Sequence, residues 1–246
     1  MSGLKAKLTH RIPPSTYLML HQVRVELTAA YYSPFHRRKA TSLPAFGLKL
    51  ELGSGQIRQP GWTHIDLFGR TADLRLDLRR PLPFASGSVD EIHTEHFLEH
   101  LEFLEGLALL SECNRVLRPG GLISIGVPDP RDALAAYVGG DDNFFHDDST
   151  ASHDSGDGWK CPDWVKTPMQ HLNFIFRQYG DHRFIYDVDT LSRALSDVGF
   201  VDALERSFDP RRDSATRQGG TFYVDAVKPK AAPPCDSRSI GHQKGG

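Results

Sequence analysis

His96, Glu99 and His100 stand in the run HFLEH, which fits the pattern H-x-x-E-H. On a continuous helix that spacing sets two imidazoles one turn apart beside a carboxylate. These are two zinc ligands and a general base for hydrolysis. A zinc site also needs a third ligand, and His146, Asp147, Asp148 and His153 in a later loop have no metal-site regularity. A zinc hydrolase built on His96, Glu99 and His100 is one reading of the motif. The residues upstream support another. Glu51-Leu52-Gly53-Ser54-Gly55 directly follows an apolar run, and glycines there let the backbone turn sharply and approach a ligand. Asp66-Leu67 closes the next apolar run, where a carboxylate can accept both hydroxyls of a ribose. Asp77-Leu78 closes a third, where the acid can take an adenine amino group while the leucine packs on the ring. Three acids at three successive strand ends converge on one crevice at the carboxyl edge of a sheet.

The elements that must carry these residues are short and alternate in type. LKLEL (48–52), THIDL (63–67), DLRLDL (73–78), VDEIHTE (89–95) and LISIGVP (122–128) read as strands. FLEGLALLSECNRVL reads as a helix with Phe103, Leu107, Leu110 and Leu117 inward, stopped by Arg118-Pro119-Gly120-Gly121. Strands interleaved with helices predict an α/β fold around a parallel sheet with right-handed crossovers. Downstream, Asp187 or Asp189 caps a helix with Leu191, Leu195 and Val198 inward, and 203–208 and 221–229 suit an antiparallel closing pair. Upstream, residues 16–32 carry Leu20, Val23, Leu27 and Ala30 at helical spacing, with Ser33-Pro34 as the expected stop. This helix packs on the domain, forms a lid whose basic neighbours meet an anionic substrate, or lies on a membrane surface, the last disfavoured because Arg24 and Glu26 give no strongly basic polar face. The organisation expected is a basic extension at 1–46, a main domain at 47–229 with a Gly/Asp/Ser-rich loop inserted at 139–168, and a disordered tail at 230–246.

Bulk composition narrows the function classes. The formal net charge of −2 excludes a generally cationic nucleic-acid binder, so no nucleic-acid partner is expected. The charge is uneven: residues 1–46 hold about +6 and the remainder about −8. Cys113, Cys161 and Cys235 are far apart and form no C-x-x-C, which argues for a reducing compartment. With no 18-residue apolar run and no signal-peptide pattern, the expected location is the cytoplasm, without stable membrane insertion.

Taken in order, ELGSG, GWTHIDL, LDLRRPLPFASGSVDEIHTEHFLEHL and NRVLRPGGLISIGVPD resemble class I S-adenosylmethionine-dependent methyltransferases, especially small bacterial methyltransferase domains of the type 11 kind. The likeness covers roughly 48–129, and HRFIYDVDTLSRALSDVGF extends it to about 200. The resemblance implies a Rossmann-like sheet, mostly parallel with an antiparallel C-terminal edge strand and helices on both faces. It implies S-adenosylmethionine as cofactor, held by Glu51, Gly53, Ser54, Gly55, Asp66, Leu67, Asp77, Leu78 and His96. It also implies methyl transfer, at oxygen or nitrogen, to a small-molecule or glycan-linked acceptor. If a general base is needed, His96 is the first candidate and His171 the second. One departure stands out: Gln56-Ile57 follows Gly55 where a third glycine is usual, and only ten residues separate Gly55 from Asp66. The first crossover must therefore be a turn or a very short helix, since a full βαβ link needs about a dozen residues. That shortness also weakens a dehydrogenase reading, which wants G-x-G-x-x-G and an acid ~20 residues on. A protein that binds the cofactor without transferring its methyl group is the remaining alternative.

Overall fold

A computed structural model describes residues 14–146 and 164–230. Its centre is one six-stranded sheet of β1 (Leu48–Leu52), β2 (Thr63–Ile65), β3 (Val89–Glu95), β4 (Leu117–Pro128), β5 (Val201–Arg206) and β6 (Thr221–Val227). The order is β2-β1-β3-β4-β6-β5, parallel from β2 to β4, with β6 antiparallel to both β4 and β5. The crossover from β3 to β4 is α2 (Phe103–Val116), opened by a reciprocal Glu102–Glu105 capping box. The next helix along the core, α6 (Val188–Asp197), is capped by Asp187 accepting from the Thr190 amide at 2.8 Å. Three further helices, α3 (Arg131–Gly139), α4 (Asp142–His146) and α5 (Pro168–Arg177), pack together around Ala133, Ala136, Phe145 and Leu172. The N-terminal α1 is Pro14–Ala40. Among the described residues no helix is long and apolar enough to cross a membrane.

Strand alternation gives the sheet two unlike faces. One carries the register row Leu50, Ile92, Ile123 and Ala226, all buried against Leu109, Leu110, Leu191 and Leu195 of α2 and α6. The other carries the row Glu51, His93, Ser124 and Asp225. Buried polar groups persist only when paired. Here the chain between β5 and β6 folds over that face and supplies the partners. Arg206 bonds Asp225 at 2.7 Å, Ser124 at 2.8 Å and Asp213 at 2.6 Å, and Arg212 bonds Asp225 at 2.9 Å.

Three sequence expectations are corrected. Residues 73–78 do not form a strand, although Leu74, Leu76 and Leu78 are buried as the alternation requires. Only Leu74 bridges Ile65, because β2 ends there and Asp66 turns back toward β1, leaving 75–78 without a strand partner. The second concerns α1, which runs through Ser33-Pro34 to Ala40. A helix-interior proline costs about 3 kcal/mol. Here the last turns are held by Arg37 on the Pro81 carbonyl (2.7 Å), Lys39 on the Asp73 carbonyl (2.9 Å) and Arg75 over Tyr32. The third is the facing of α1: Leu20, Val23 and Leu27 point to solvent, Ala30 is exposed, and Ala29 is the buried alanine. The inserted loop begins with α4, and residues 147–163, with His153, Asp147 and Asp148, lie outside the described residues, as do 1–13 and 231–246 of the tail.

Candidate functional site

The glycine turn is built by hydrogen bonds between β1 and β2. The amides of Gly53 and Ser54 donate to the Ile65 carbonyl (2.8 and 3.2 Å), and Gly55 N–H donates to the Asp66 carboxylate (2.9 Å). The same carboxylate accepts from Phe68 N–H (2.7 Å) and Gly69 N–H (2.5 Å), so one acid closes both strand ends. No helix intervenes between Gly55 and Thr63, as the short link requires. Gly53 (φ +66°) has no room for a side chain, since a Cβ would stand 2.4 Å from the Phe97 ring. Gly55 (φ +55°) is the opposite case: no heavy atom lies within 4 Å of its Cβ position, so its backbone is bare to the space in front of it.

That space is a cavity of about 530 Å³ at the carboxyl edge of β1, β2 and β3. Gly53, Gly55, Asp66 and Leu67 form one wall, Leu76, Asp77 and Leu78 another, and His96 and Phe97 the floor beyond β3. His21, Gln22 and Val25 of α1 roof it. The roof is tied down by Arg79, which bonds Glu26 of α1 at 2.8 Å and grips Asp77 through Nε and Nη2, both at 2.9 Å. Burial works to raise the Asp77 carboxyl, but the Arg79 bonds outweigh it and hold it below its ordinary value.

Two expected cofactor residues lie elsewhere. Glu51 is buried behind the turn, on the polar sheet face, with its oxygens 2.9 and 3.0 Å from His93 Nδ1. His93 Nε2 in turn faces Asp213 at 3.2 Å. Burial opposes charge on this imidazole, but Asp213 and Glu51, with Glu95 beyond, overcome it and raise the pKa to about 9. The Glu51 carboxylate is thus engaged in the sheet rather than presented to the cavity. Ser54 is also buried and absent from the cavity wall.

HFLEH does not form the helix its pattern suggests. His96 ends β3 in the left-handed region (φ +53°), and only Leu98–His100 make a single 3-10 turn. The two imidazoles therefore do not stack one α-turn apart, which removes the inverted zinc-hydrolase geometry. His96 Nε2 pairs with Thr221 Oγ1 at 2.7 Å, and its ring lines both the main cavity and a smaller one beside Asp129 and Phe144. Burial, then Arg217, His182 and His100, push its pKa well down, so the ring is neutral at pH 7. Glu99 is buried, with neither carboxylate oxygen hydrogen-bonded among the described residues. Burial pushes its pKa up.

His171, the second candidate base, is not brought to the cavity. It is buried on α5, with Nδ1 3.2 Å from the Phe145 carbonyl and its ring against Phe145. Asp141 accepts from the Asn143 amide at the start of α4, and Asp129 binds Arg131, both ordinary turn chemistry. The residues that sequence reasoning missed are Phe97, Arg79, His182 and, within the α1 helix expected as packing or lid, the individual residues His21, Gln22 and Val25. Phe97 and Arg79 adjoin residues already singled out, but nothing local in the sequence announces His182 or His21.

A family model described as a methyltransferase domain matches residues 65–125, from the end of β2 through β3 and α2 into β4. No curated protein matches the sequence. Among solved structures, an S-adenosylmethionine-dependent methyltransferase from Archaeoglobus fulgidus is similar at 17% identity, over 87% of this chain and 99% of that one, with a TM-score of 0.43. Phosphoethanolamine N-methyltransferase 2 of Haemonchus contortus is similar at 13% identity, over 80% of this chain and 52% of that one, TM-score 0.42. The CurJ carbon methyltransferase is similar at 16% identity, over 77% of this chain and 51% of that one, TM-score 0.41. The chain spans about half the length of these last two. The matched stretch holds the β2 and β3 ends and the α2 crossover that border the cavity.

Proposed function

We propose that this chain transfers a methyl group from S-adenosylmethionine to a small-molecule or glycan-linked acceptor, at oxygen or nitrogen. The observation that carries the reading is the 530 Å³ cavity onto which the bare Gly55 backbone and the strand-end residues Asp66, Asp77 and Leu78 converge. Its size is within the range of about 300–1,000 Å³ usual for small-molecule sites. The residues fit the cofactor. Asp66 spends three of its roughly four acceptor positions on backbone amides, leaving one for a ribose hydroxyl. Leu78 and Leu76 offer apolar area to an adenine ring, beside Asp77 as acceptor for its amino group.

The bound cofactor supplies an electrophilic methyl group on a sulfonium. The protein's part is to orient the partners and keep water out, which the α1 roof of His21, Gln22 and Val25 favours as a lid. His96 stands in the wall between the main cavity and the smaller one, a position suited to the acceptor side. Its neutral ring is placed to take a proton from the acceptor as the methyl group transfers, although burial, Arg217, His182 and His100 oppose the charge it would then carry. We place the protein in the cytoplasm within the same proposal, in keeping with the buried, unpaired thiol of Cys113.

Thermal denaturation with S-adenosylmethionine and with S-adenosylhomocysteine tests the reading. Saturation at 100 times the dissociation constant adds about 2.7 kcal/mol of stability. Absence of a shift with both compounds would refute it. Binding without labelled-methyl transfer across alcohols, amines and glycans would favour a non-catalytic binder.

A further inference from the structure

We propose that Glu99, His100 and His182 bind a divalent transition-metal cation at the acceptor end of the cavity. One ligand atom from each lies within 4.8 Å of the other two. Donors about 2.0–2.2 Å from a tetrahedral zinc stand ~3.3 Å apart, so closing the site takes movements of about 1 Å. His100 is the most exposed of the three and the freest to make them.

The fold assembles this trio by swapping one histidine of HFLEH for a distant one. His96 Nε2 is engaged by Thr221 at the end of β3, while its Nδ1 stays 3.8 Å from Glu99 Oε1. The Glu99 carbonyl accepts the amides of Arg183 (2.7 Å) and Phe184 (3.2 Å), and this pins the 181–184 segment against the 3-10 turn. The pairing sets the His182 ring edge-on to His100, centroids 5.1 Å apart. His100 Nδ1 donates to the Asp181 carbonyl at 2.9 Å, which leaves Nε2 with its lone pair directed away from that bond. A backbone acceptor on one ring nitrogen is the usual way a ligating imidazole is held in the right tautomer. Nε2 lies 4.0 Å from Glu99 Oε1.

A second observation independently points to a ligand. Both Glu99 oxygens are buried and lack hydrogen-bond partners among the described residues, although the side chain lines the cavity. A buried carboxyl without hydrogen-bond partners is costly, and such groups are rare unless a water or ion completes them. A cation between Glu99 and the two imidazoles supplies that partner. Two imidazoles and one carboxylate suit zinc, iron, manganese or cobalt better than magnesium or calcium, which prefer all-oxygen shells. Three protein ligands leave at least one position open toward the cavity, where an acceptor oxygen can sit. That use of the site rests on the methyl-transfer reading; the existence of the site does not.

The test is metal binding by the full chain, stripped by chelation and without S-adenosylmethionine. Titration with Co2+, followed by its visible ligand-field absorption and by calorimetry, should saturate at one ion per chain. Zn2+ should displace it and Mg2+ should not. His100→Gln and His182→Gln should each weaken binding by 10-fold or more while keeping the wild-type circular dichroism spectrum. His100→Gln at an exposed position secures the result if His182→Gln misfolds. Co2+ binding that is absent, or equally tight in both variants, overturns the proposal. S-adenosylhomocysteine binding is scored separately, so failure of the metal site and failure of the methyltransferase reading give different results.

Discussion

Between pH 6.5 and 9 the stability of this protein should fall because of one imidazole. His93 has no exposed surface and sits between Glu51 (2.9 Å from Nδ1) and Asp213 (3.2 Å from Nε2). Both ring nitrogens donate, which requires the imidazolium form, and the pKa is raised to about 9. In the unfolded chain it returns to about 6.5, and each unit of difference corresponds to 1.36 kcal/mol, so the charged ring contributes about 3 kcal/mol. The folded state holds a proton that the unfolded state has released. The contribution is therefore complete below pH ~6.5 and is lost as pH rises through about 9, at a slope of up to about 1.4 kcal/mol per unit. Urea denaturation at several pH values measures it, read by the fluorescence of Trp62, whose ring lies 6.2 Å from His93. His93→Gln keeps a donor but cannot titrate. It should be less stable than wild type at pH 6 and close to it above pH 9.5. Lys228 and the buried tyrosines titrate in both proteins, so they cancel in the difference. A constant stability gap between the two proteins from pH 6 to 9.5 would refute the charged-histidine account.

Other substitutions test the site itself. Asp66→Ala removes the acceptor of three backbone amides and should cost about 2–4 kcal/mol by denaturation, together with a loss of S-adenosylhomocysteine affinity by calorimetry. Gly53→Ala combines a left-handed backbone with a collision against Phe97; about 2–4 kcal/mol is expected, and an unchanged melting temperature would contradict the packing described. His171→Ala should destabilise the α3–α4–α5 cluster while leaving cofactor affinity unchanged, and a selective loss of turnover would restore it as a base. His96→Asn, whose side chain tolerates the left-handed backbone, should lower turnover more than cofactor affinity; equal turnover would remove His96 from the chemistry.

Strand alternation and turn chemistry made β1, β3, β4, the α2 stop and the Asp187 cap legible, because each is set by residues within a few positions of one another. The converging acids at 66 and 77 were legible for the same reason, since they terminate local apolar runs. Glu51 was placed correctly at a strand end, but its facing was misjudged. Side chains alternate across a strand, and what covers each face is decided by distant chain, here the 207–214 segment with Asp213. The α1 stop at Pro34 and its inward stripe failed in the same way, because contacts to residues 73–81 outweigh a local breaker and choose the buried face. HFLEH shows the division most sharply. Its composition alone identifies ligand-type side chains. A β3 end at φ +53° and a backbone pairing of Glu99 with Arg183, 84 residues downstream, decide that Glu99 and His100 meet His182, with His96 Nε2 directed to Thr221. Local sequence sets which groups are available; long-range hydrogen bonding and burial set which of them share a space.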